Sequence, residues 1–170
     1  MHISDQMSPV THALLPVFLG RRILVSPGKS PSWSDAGLVA LAGALPDLLS
    51  PHLSLDARYV AYSHTAWAFL GFSLLVWGAS IRWSRLMRLR LLCLFAYAAH
   101  LACDLISGGV ALFYPLSTVV HGGNYLPYWM WGASDGLLLI YLYLVYRWLP
   151  LRHRISARKV LEPGKPGPVR

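Results

Sequence analysis

The chain has 170 residues, of which 55% are hydrophobic, and a formal net charge of +8 at pH 7. Its mean hydropathy of +0.46 lies well above that of ordinary soluble globular domains. The basic residues argue against a nucleic-acid-binding surface, because 14 of the 15 fall into three separate groups at 21–29, 82–90 and 147–170. These groups alternate with long apolar stretches, which is typical of a membrane protein.

Five apolar segments are expected to form helices, over about 9–20, 35–50, 64–81, 89–114 and 129–149. Three contain the long apolar stretches Thr65–Ile81, Leu91–Leu116 and Met130–Tyr146. These approach the roughly 20 residues that a helix needs to cross a bilayer. The first two segments are short, so they are half-buried, tilted or packed against the others. The sequence therefore predicts an all-α membrane bundle of about five helices.

The charge distribution predicts an orientation for this bundle. If each segment crosses or dips once, the three basic groups lie on one side, and the positive-inside rule identifies that side as cytoplasmic. The N-terminus is then outside and the C-terminus inside, in a multi-pass protein of the inner, cytoplasmic membrane. Residues 1–150 form one membrane-embedded domain, and residues 151–170 form a basic cytoplasmic tail whose Pro- and Gly-rich end predicts disorder.

Histidines and aspartates interrupt the apolar segments at positions that this layout brings to the non-cytoplasmic end. They are His12, Asp47, His64, His100 and Asp104. Imidazoles and carboxylates that converge from several helices are how helical bundles build metal sites. His100 and Asp104 are four residues apart and share a helix face. This ligand set suits zinc, manganese or iron(II) better than calcium or magnesium.

Each residue also has a structural interpretation. His12 could be an interfacial histidine, Asp47 part of a turn after Pro46, and His64 a residue of a helix start capped by Ser63. The pair on the fourth segment could fix helix packing by mutual hydrogen bonding. His121 in the outer loop and Asp135 at the start of the fifth segment are further candidates to complete a site.

Four blocks of sequence carry a resemblance to a known family. They are THALLP (11–16), GALPDLL (43–49), SHTAWAF (63–69) and AHLACDLIS (99–107), the last followed by ALFYPLS (111–117). In this order they resemble a family of bacterial inner-membrane metal-dependent hydrolases, sometimes named for binding the LexA repressor. The resemblance covers roughly residues 8–120. That family is in turn similar to the zinc-dependent phospholipases C and the fungal zinc-dependent single-strand nucleases.

The resemblance implies roles for individual residues. His12, Asp47, His64, His100 and Asp104 would hold one or two divalent ions, most simply zinc, with manganese or iron as alternatives. Asp47 would bridge the ions and orient the attacking water, which makes it the catalytic candidate. The chain departs from the inner-membrane family's pattern in lacking His-Arg-Gly before the second histidine block and in having Ser-His-Thr for Thr-His-Ser. It also lacks the later His-x-x-x-Glu pair of the soluble enzymes.

The sequence thus favours a membrane-bound metal-dependent hydrolase that acts on a phosphoester or lipid-linked substrate through a metal-activated water. The expected partners are membrane lipids and a small-molecule or lipid substrate, with no nucleic acid and with a soluble regulator as a possible ligand of the tail. The alternative is a non-enzymatic membrane protein. In it, the polar cluster is structural or handles ions, or the tail is an adaptor.

Overall fold

The computed structural model describes residues 9–20, 32–50, 60–125, 127, 129–148 and 151. Arg21, Arg22 and Lys29 of the first basic group, Arg58, and the tail beyond Leu151 lie outside these residues. The domain boundary at 150/151 and the disorder and cytoplasmic location of the tail therefore stay predictions.

The described chain is all-α, as the sequence predicts. Its helices are α1 (Pro9–Leu19), α2 (Trp33–Leu49), α3 (Ala66–Arg82), α4 (Ser84–Ile106) and α5 (Trp129–Tyr143). A 3₁₀ turn (Tyr62–His64) precedes α3, and a π-helical turn (Leu144–Trp148) continues α5. Within the described ranges, extended pairing is limited to two isolated antiparallel bridges, Ser107 with Asn124 and Val110 with His121.

Side-chain caps define where two of the helices begin. The backbone N–H of Asp35 donates to the Ser32 hydroxyl at 3.3 Å at the start of α2, and the N–H of Ala68 donates to the Thr65 hydroxyl at 3.1 Å at the start of α3. A cap of this kind satisfies one of the N–H groups that the first turn leaves without a partner. The helix starts predicted from the sequence, at about 35 and 64, lie within two residues of those observed.

The end of α4 is the largest departure from the predicted boundaries. The apolar run continues to Leu116, but the helix stops at Ile106, eight residues before the predicted end. Gly108 and Gly109 follow with φ of 136° and 89°, a region that glycine adopts at little cost and other residues avoid. The chain then folds back, and the N–H of Ala66 donates to the carbonyl of Leu112 at 2.8 Å, which ties this loop to the start of α3.

The helices run antiparallel, so each end of the bundle collects alternate helix termini. At one end, Arg85 of α4 forms an ion pair with Asp35 of α2 at 2.7 Å. Trp33 of α2 and Tyr146 of the π turn pack there with ring centroids 4.9 Å apart. The start of α1, the end of α2, the turn before α3 and the end of α4 meet at the opposite end. We call the first end the arginine end and the second the histidine end.

A buried apolar core joins α1, α2, α4, the end of α5 and the π-helical turn. It consists of Val17, Ala36, Val39, Ala42, Leu89, Leu92, Cys93, Ala96, Leu142, Val145 and Tyr146. α1 and α2 approach closely at Gly43, where an added Cβ would lie 2.6 Å from the carbonyl oxygen of His12. Such small residues let helix backbones approach closely.

One of the described helices, α4, is both long and apolar enough to cross a membrane, whereas α1 and α3 are apolar but shorter. The expectation of long spans at 65–81 and 130–146 is therefore supported only in part, because α3 has 17 residues and α5 has 15 before its π turn. Both helices nevertheless expose large apolar side chains. They include Leu74, Leu75 and Ile81 on α3, and Leu137, Leu139 and Ile140 on α5.

Candidate metal centre

All five residues that the sequence singled out meet at the histidine end. His12 comes from the first turns of α1, Asp47 from the last turn of α2, His64 from the 3₁₀ turn, and His100 with Asp104 from the end of α4. The three histidines and Asp104 are 0–2% exposed. Four separate segments therefore bring their polar side chains into one enclosed space.

Three of these side chains form a compact triangle of ligand atoms. His64 Nε2 and His100 Nε2 lie 3.3 Å apart. Asp104 Oδ2 lies 3.5 Å from the first of these nitrogens and 3.4 Å from the second. In a tetrahedral zinc site with bonds of about 2.0–2.1 Å, two ligand atoms are separated by about 3.3–3.4 Å. The triangle thus has the dimensions of one face of such a site, with a fourth position left over.

Hydrogen bonds at Nδ1 of two imidazoles leave their Nε2 atoms to face this triangle. His100 Nδ1 lies 2.7 Å from the carbonyl oxygen of Gly43, which can only accept, so Nδ1 carries the proton. The Ser63 hydroxyl donates to the carbonyl of Pro46 at 2.8 Å, so its oxygen is left to accept from His64 Nδ1 at 3.1 Å. Metal-binding histidines are held in this way, with the second ring nitrogen donating to an outer acceptor.

Electrostatics favours a cation between these groups. With Nδ1 protonated on His64 and His100, each neutral ring directs a lone pair from Nε2 into the same small space, beside a buried carboxylate. Burial lowers the pKa of His64, which lies ahead of the apolar helix α3, and so favours its neutral form. A divalent ion would accept both lone pairs and offset the charge of Asp104.

His12 and Asp47 form a second group together with His100. His12 Nδ1 lies 2.8 Å from His100 Nδ1, 3.2 Å from His100 Nε2 and 3.8 Å from Asp47 Oδ2. The two imidazoles meet edge to face with centroids 4.0 Å apart. Asp47 Oδ1 is also 3.2 Å from His64 Nε2. Both groups use His100, whose Nδ1 faces a carbonyl, so the arrangement suits one ion better than two separately ligated ions.

Asp47 differs from the rest of the cluster in its exposure. Its side chain is 20% exposed, whereas those of His12, His64, His100 and Asp104 are at most 2% exposed. Asp47 therefore lies on the solvent-accessible side of the cluster.

Neither of the two further candidates joins the cluster. Among the described residues that could hold a metal, the groups contain neither His121 nor Asp135. His121 pairs through its backbone with Val110. Asp135 accepts a hydrogen bond from the Thr11 hydroxyl, which links α5 to α1 beside the cluster.

Sequence analysis missed the residues that hold the imidazoles. The Gly43 carbonyl and the Ser63 hydroxyl orient His100 and His64. The Tyr97 hydroxyl donates to the carbonyl of Ser63 at 2.5 Å and so fixes that turn from α4. Tyr97 lies one helical turn before His100, a spacing that could have indicated a shared face. The backbone carbonyl of Gly43 left no signal in the sequence.

Comparison with protein-family models matches residues 7–158 to the YdjM inner membrane protein family. The chain belongs to this family. Membership makes it an inner-membrane protein and agrees with the exposed apolar faces of α3 and α5. Neither the curated proteins nor the solved structures contain a match to the chain.

Proposed function

We propose that this inner-membrane protein is a metal-dependent hydrolase and that His64, His100 and Asp104 hold a divalent ion. The observation that carries the proposal is the triangle of Nε2, Nε2 and Oδ2 atoms with sides of 3.3, 3.4 and 3.5 Å. Two imidazoles and one carboxylate, with a position left for water, are the ligand set of catalytic rather than closed structural zinc sites.

Zinc fits this donor set best, and manganese or iron would also be accepted by imidazole and carboxylate. A bound divalent ion would supply Lewis-acid polarisation of the substrate and lower the pKa of a water molecule to about 7. Because both groups of candidate ligands share His100, we propose that each chain binds one ion. His12 completes the cluster beside it, 3.6 Å from Asp104 Oδ1.

Asp47 is the proposed catalytic residue. Its carboxylate lies 3.2 Å from His64 Nε2 and 3.6 Å from His100 Nε2, and it is the accessible member of the cluster. A carboxylate in this position orients a water molecule toward the substrate and accepts its proton, which is the work of a general base.

The proposed substrate is a phosphoester, most simply a lipid or a lipid-linked compound. We place the histidine end on the non-cytoplasmic side, because exposed arginines such as Arg82, Arg85 and Arg88 mark the other end. A cluster at the end of a membrane helix lies near headgroup depth, where a lipid phosphate is within reach.

The proposal is tested by hydrolysis of a short-chain phosphatidylcholine and of a chromogenic phosphodiester in detergent. The wild type should be active, should lose activity to a chelator and should regain it with added zinc or manganese. His100→Ala should be inactive at unchanged yield from the membrane. His121→Ala is the matched control, since that ring packs against Phe113 outside the cluster. Equal chelator-resistant activity in the wild type and His100→Ala would refute the proposal.

The non-enzymatic alternatives predict different results in these and related experiments. A structural cluster predicts that His100→Ala lowers thermal stability and that the wild type hydrolyses neither compound. Ion handling predicts that ion flux through proteoliposomes falls with the same change. An adaptor predicts that removal of residues 151–170 abolishes binding of a soluble regulator, whereas His100→Ala leaves it intact.

A further inference from the structure

A groove of about 530 Å³ runs alongside the cluster between α1, α4 and α5. Its wall carries apolar side chains from all three helices, among them Leu15 of α1, Ile106 of α4 and Leu138 of α5. Leu138 is buried on its floor, whereas Leu137, at its rim, is 69% exposed. In a protein of the inner membrane, such a rim faces the hydrocarbon of the bilayer.

The groove has one polar end, and that end lies beside the metal cluster. Thr11 and Cys103 line it, and they immediately precede His12 and Asp104 in the chain. The Thr11 hydroxyl donates to Asp135 there, which places a carboxylate at the same level. Successive residues on a helix point about 100° apart, so α1 and α4 present cluster ligands on one side and groove residues on the other.

The other end of the groove is apolar and lies toward the arginine end. Phe18 and Tyr141 close it, with ring centroids 4.8 Å apart. Thr11 and Phe18 are seven residues apart on α1, which corresponds to about 10 Å along the helix axis. The groove therefore descends from the polar cluster toward the middle of the membrane, the direction in which an acyl chain descends from its headgroup.

We propose that this groove binds one acyl chain of a membrane lipid whose phosphate lies at the His/Asp cluster. Assigning that lipid as the substrate rests on the proposed hydrolase function; the binding of the chain does not. The volume is within the range of about 300–1,000 Å³ of ligand pockets. The apolar lining favours a hydrocarbon chain. The polar groups of Thr11 and Asp135 at one end of the groove favour the headgroup end of the lipid there.

Photocrosslinking from nanodiscs tests the groove and its direction together. The probes are two phosphatidylglycerols, one with a diazirine near the acyl carboxyl group and the other with a diazirine about eight carbons further along the chain, which matches the roughly 10 Å between the two ends of the groove. The first should label α1 and α5 near Thr11 and Ser134, and the second near Phe18 and Tyr141. Labelling of the groove should exceed, per residue, that of the exposed face of α3 around Leu74 and Leu75.

Two neighbouring substitutions on α5 give a matched pair. Leu138→Trp projects a larger ring from the floor into the groove, where it would clash with a bound acyl chain, so labelling should fall about tenfold. Leu139→Trp makes the same change on a side chain that is 52% exposed, and it should leave groove labelling unchanged. Ser134→Leu places a smaller added side chain at the polar end and should reduce labelling there. It provides a second test if Leu138→Trp fails to fold.

The outcomes separate this inference from the hydrolase proposal. Three results would each overturn the proposal of an acyl chain in the groove. They are unchanged labelling in both Leu138→Trp and Ser134→Leu, labelling of the groove that does not exceed that of α3, and a reversed order of the two probes. Metal content is measured on the same preparations. Metal-free wild type with ordered groove labelling refutes the metal site and supports the groove, whereas metal-loaded protein without groove labelling overturns the groove alone.

Discussion

Asp35 at one end of the bundle and Asp104 at the other are both shielded from solvent, but their partners differ in charge. At the arginine end, Asp35 bonds to Arg85, whose side chain is 47% exposed. At the histidine end, Asp104 is 1% exposed, and imidazole nitrogens of His12, His64 and His100 lie 3.4–3.6 Å from its oxygens. A permanently charged guanidinium satisfies the first carboxylate, whereas imidazoles are neutral in their ordinary ligand form. This difference is the basis for proposing a cation at the histidine end and none at the arginine end.

The largest expected effect comes from neutralising the buried carboxylate. Asp104→Asn removes a proposed ligand. Loss of a residue that only hydrogen-bonds to a ligand lowers metal affinity about 10–100-fold, so zinc affinity should fall by more than this. The measurement is a competition titration of the purified protein with a zinc indicator. Asp35→Asn is the control at the other end and should leave zinc affinity unchanged. A similar loss in both variants would show that the two ends do not differ.

The next effect concerns the support of a histidine rather than a ligand. Ser63→Ala removes the acceptor for His64 Nδ1, and zinc affinity should fall about tenfold. Ser73→Ala is the matched control, because Ser73 also donates to a backbone carbonyl, that of Phe69 at 2.7 Å, within α3. Equal affinities for the two variants would mean that Ser63 does not position the imidazole.

The close approach of α1 and α2 should be sensitive to a single methyl group. In Gly43→Ala the new Cβ would lie 2.6 Å from the carbonyl oxygen of His12, so the helices must separate at a cost of about 1–3 kcal/mol. Gly37→Ala on the same helix meets nothing within 4 Å and should be neutral or slightly stabilising. Thermal unfolding in detergent measures both. Equal melting temperatures would contradict the packing described for this end.

The smallest effect is expected at the arginine end. Because the ion pair of Asp35 and Arg85 is partly exposed, Arg85→Gln should lower the free energy of unfolding by at most about 1 kcal/mol. High salt should shrink the difference between the variant and the wild type further. Denaturant titration at low and high salt checks this. A loss as large as that of Gly43→Ala would show that the arginine end also depends on a buried charge.

Sequence reasoning found the helices and the five cluster residues for one physical reason: both leave a pattern in residue type. Apolar runs and charge groups fixed the order and direction of the helices, and direction alone placed His12, Asp47 and His64 at one end. The end of α4 was missed, because the apolar run continues through Gly108 and Gly109 as a folded loop. The hydrogen bond from His100 to the Gly43 carbonyl could not be predicted, since it depends on backbone geometry rather than side-chain identity.

The account depends most directly on a bound metal. The measurement is the metal content of the detergent-purified wild type by elemental mass spectrometry, beside the His100→Ala/Asp104→Ala double variant. The account predicts about one zinc or manganese ion per wild-type chain and almost none in the variant, as expected when two of three ligands are removed. Wild-type protein that stays metal-free after incubation with zinc, or a variant that keeps the wild-type content, would contradict it.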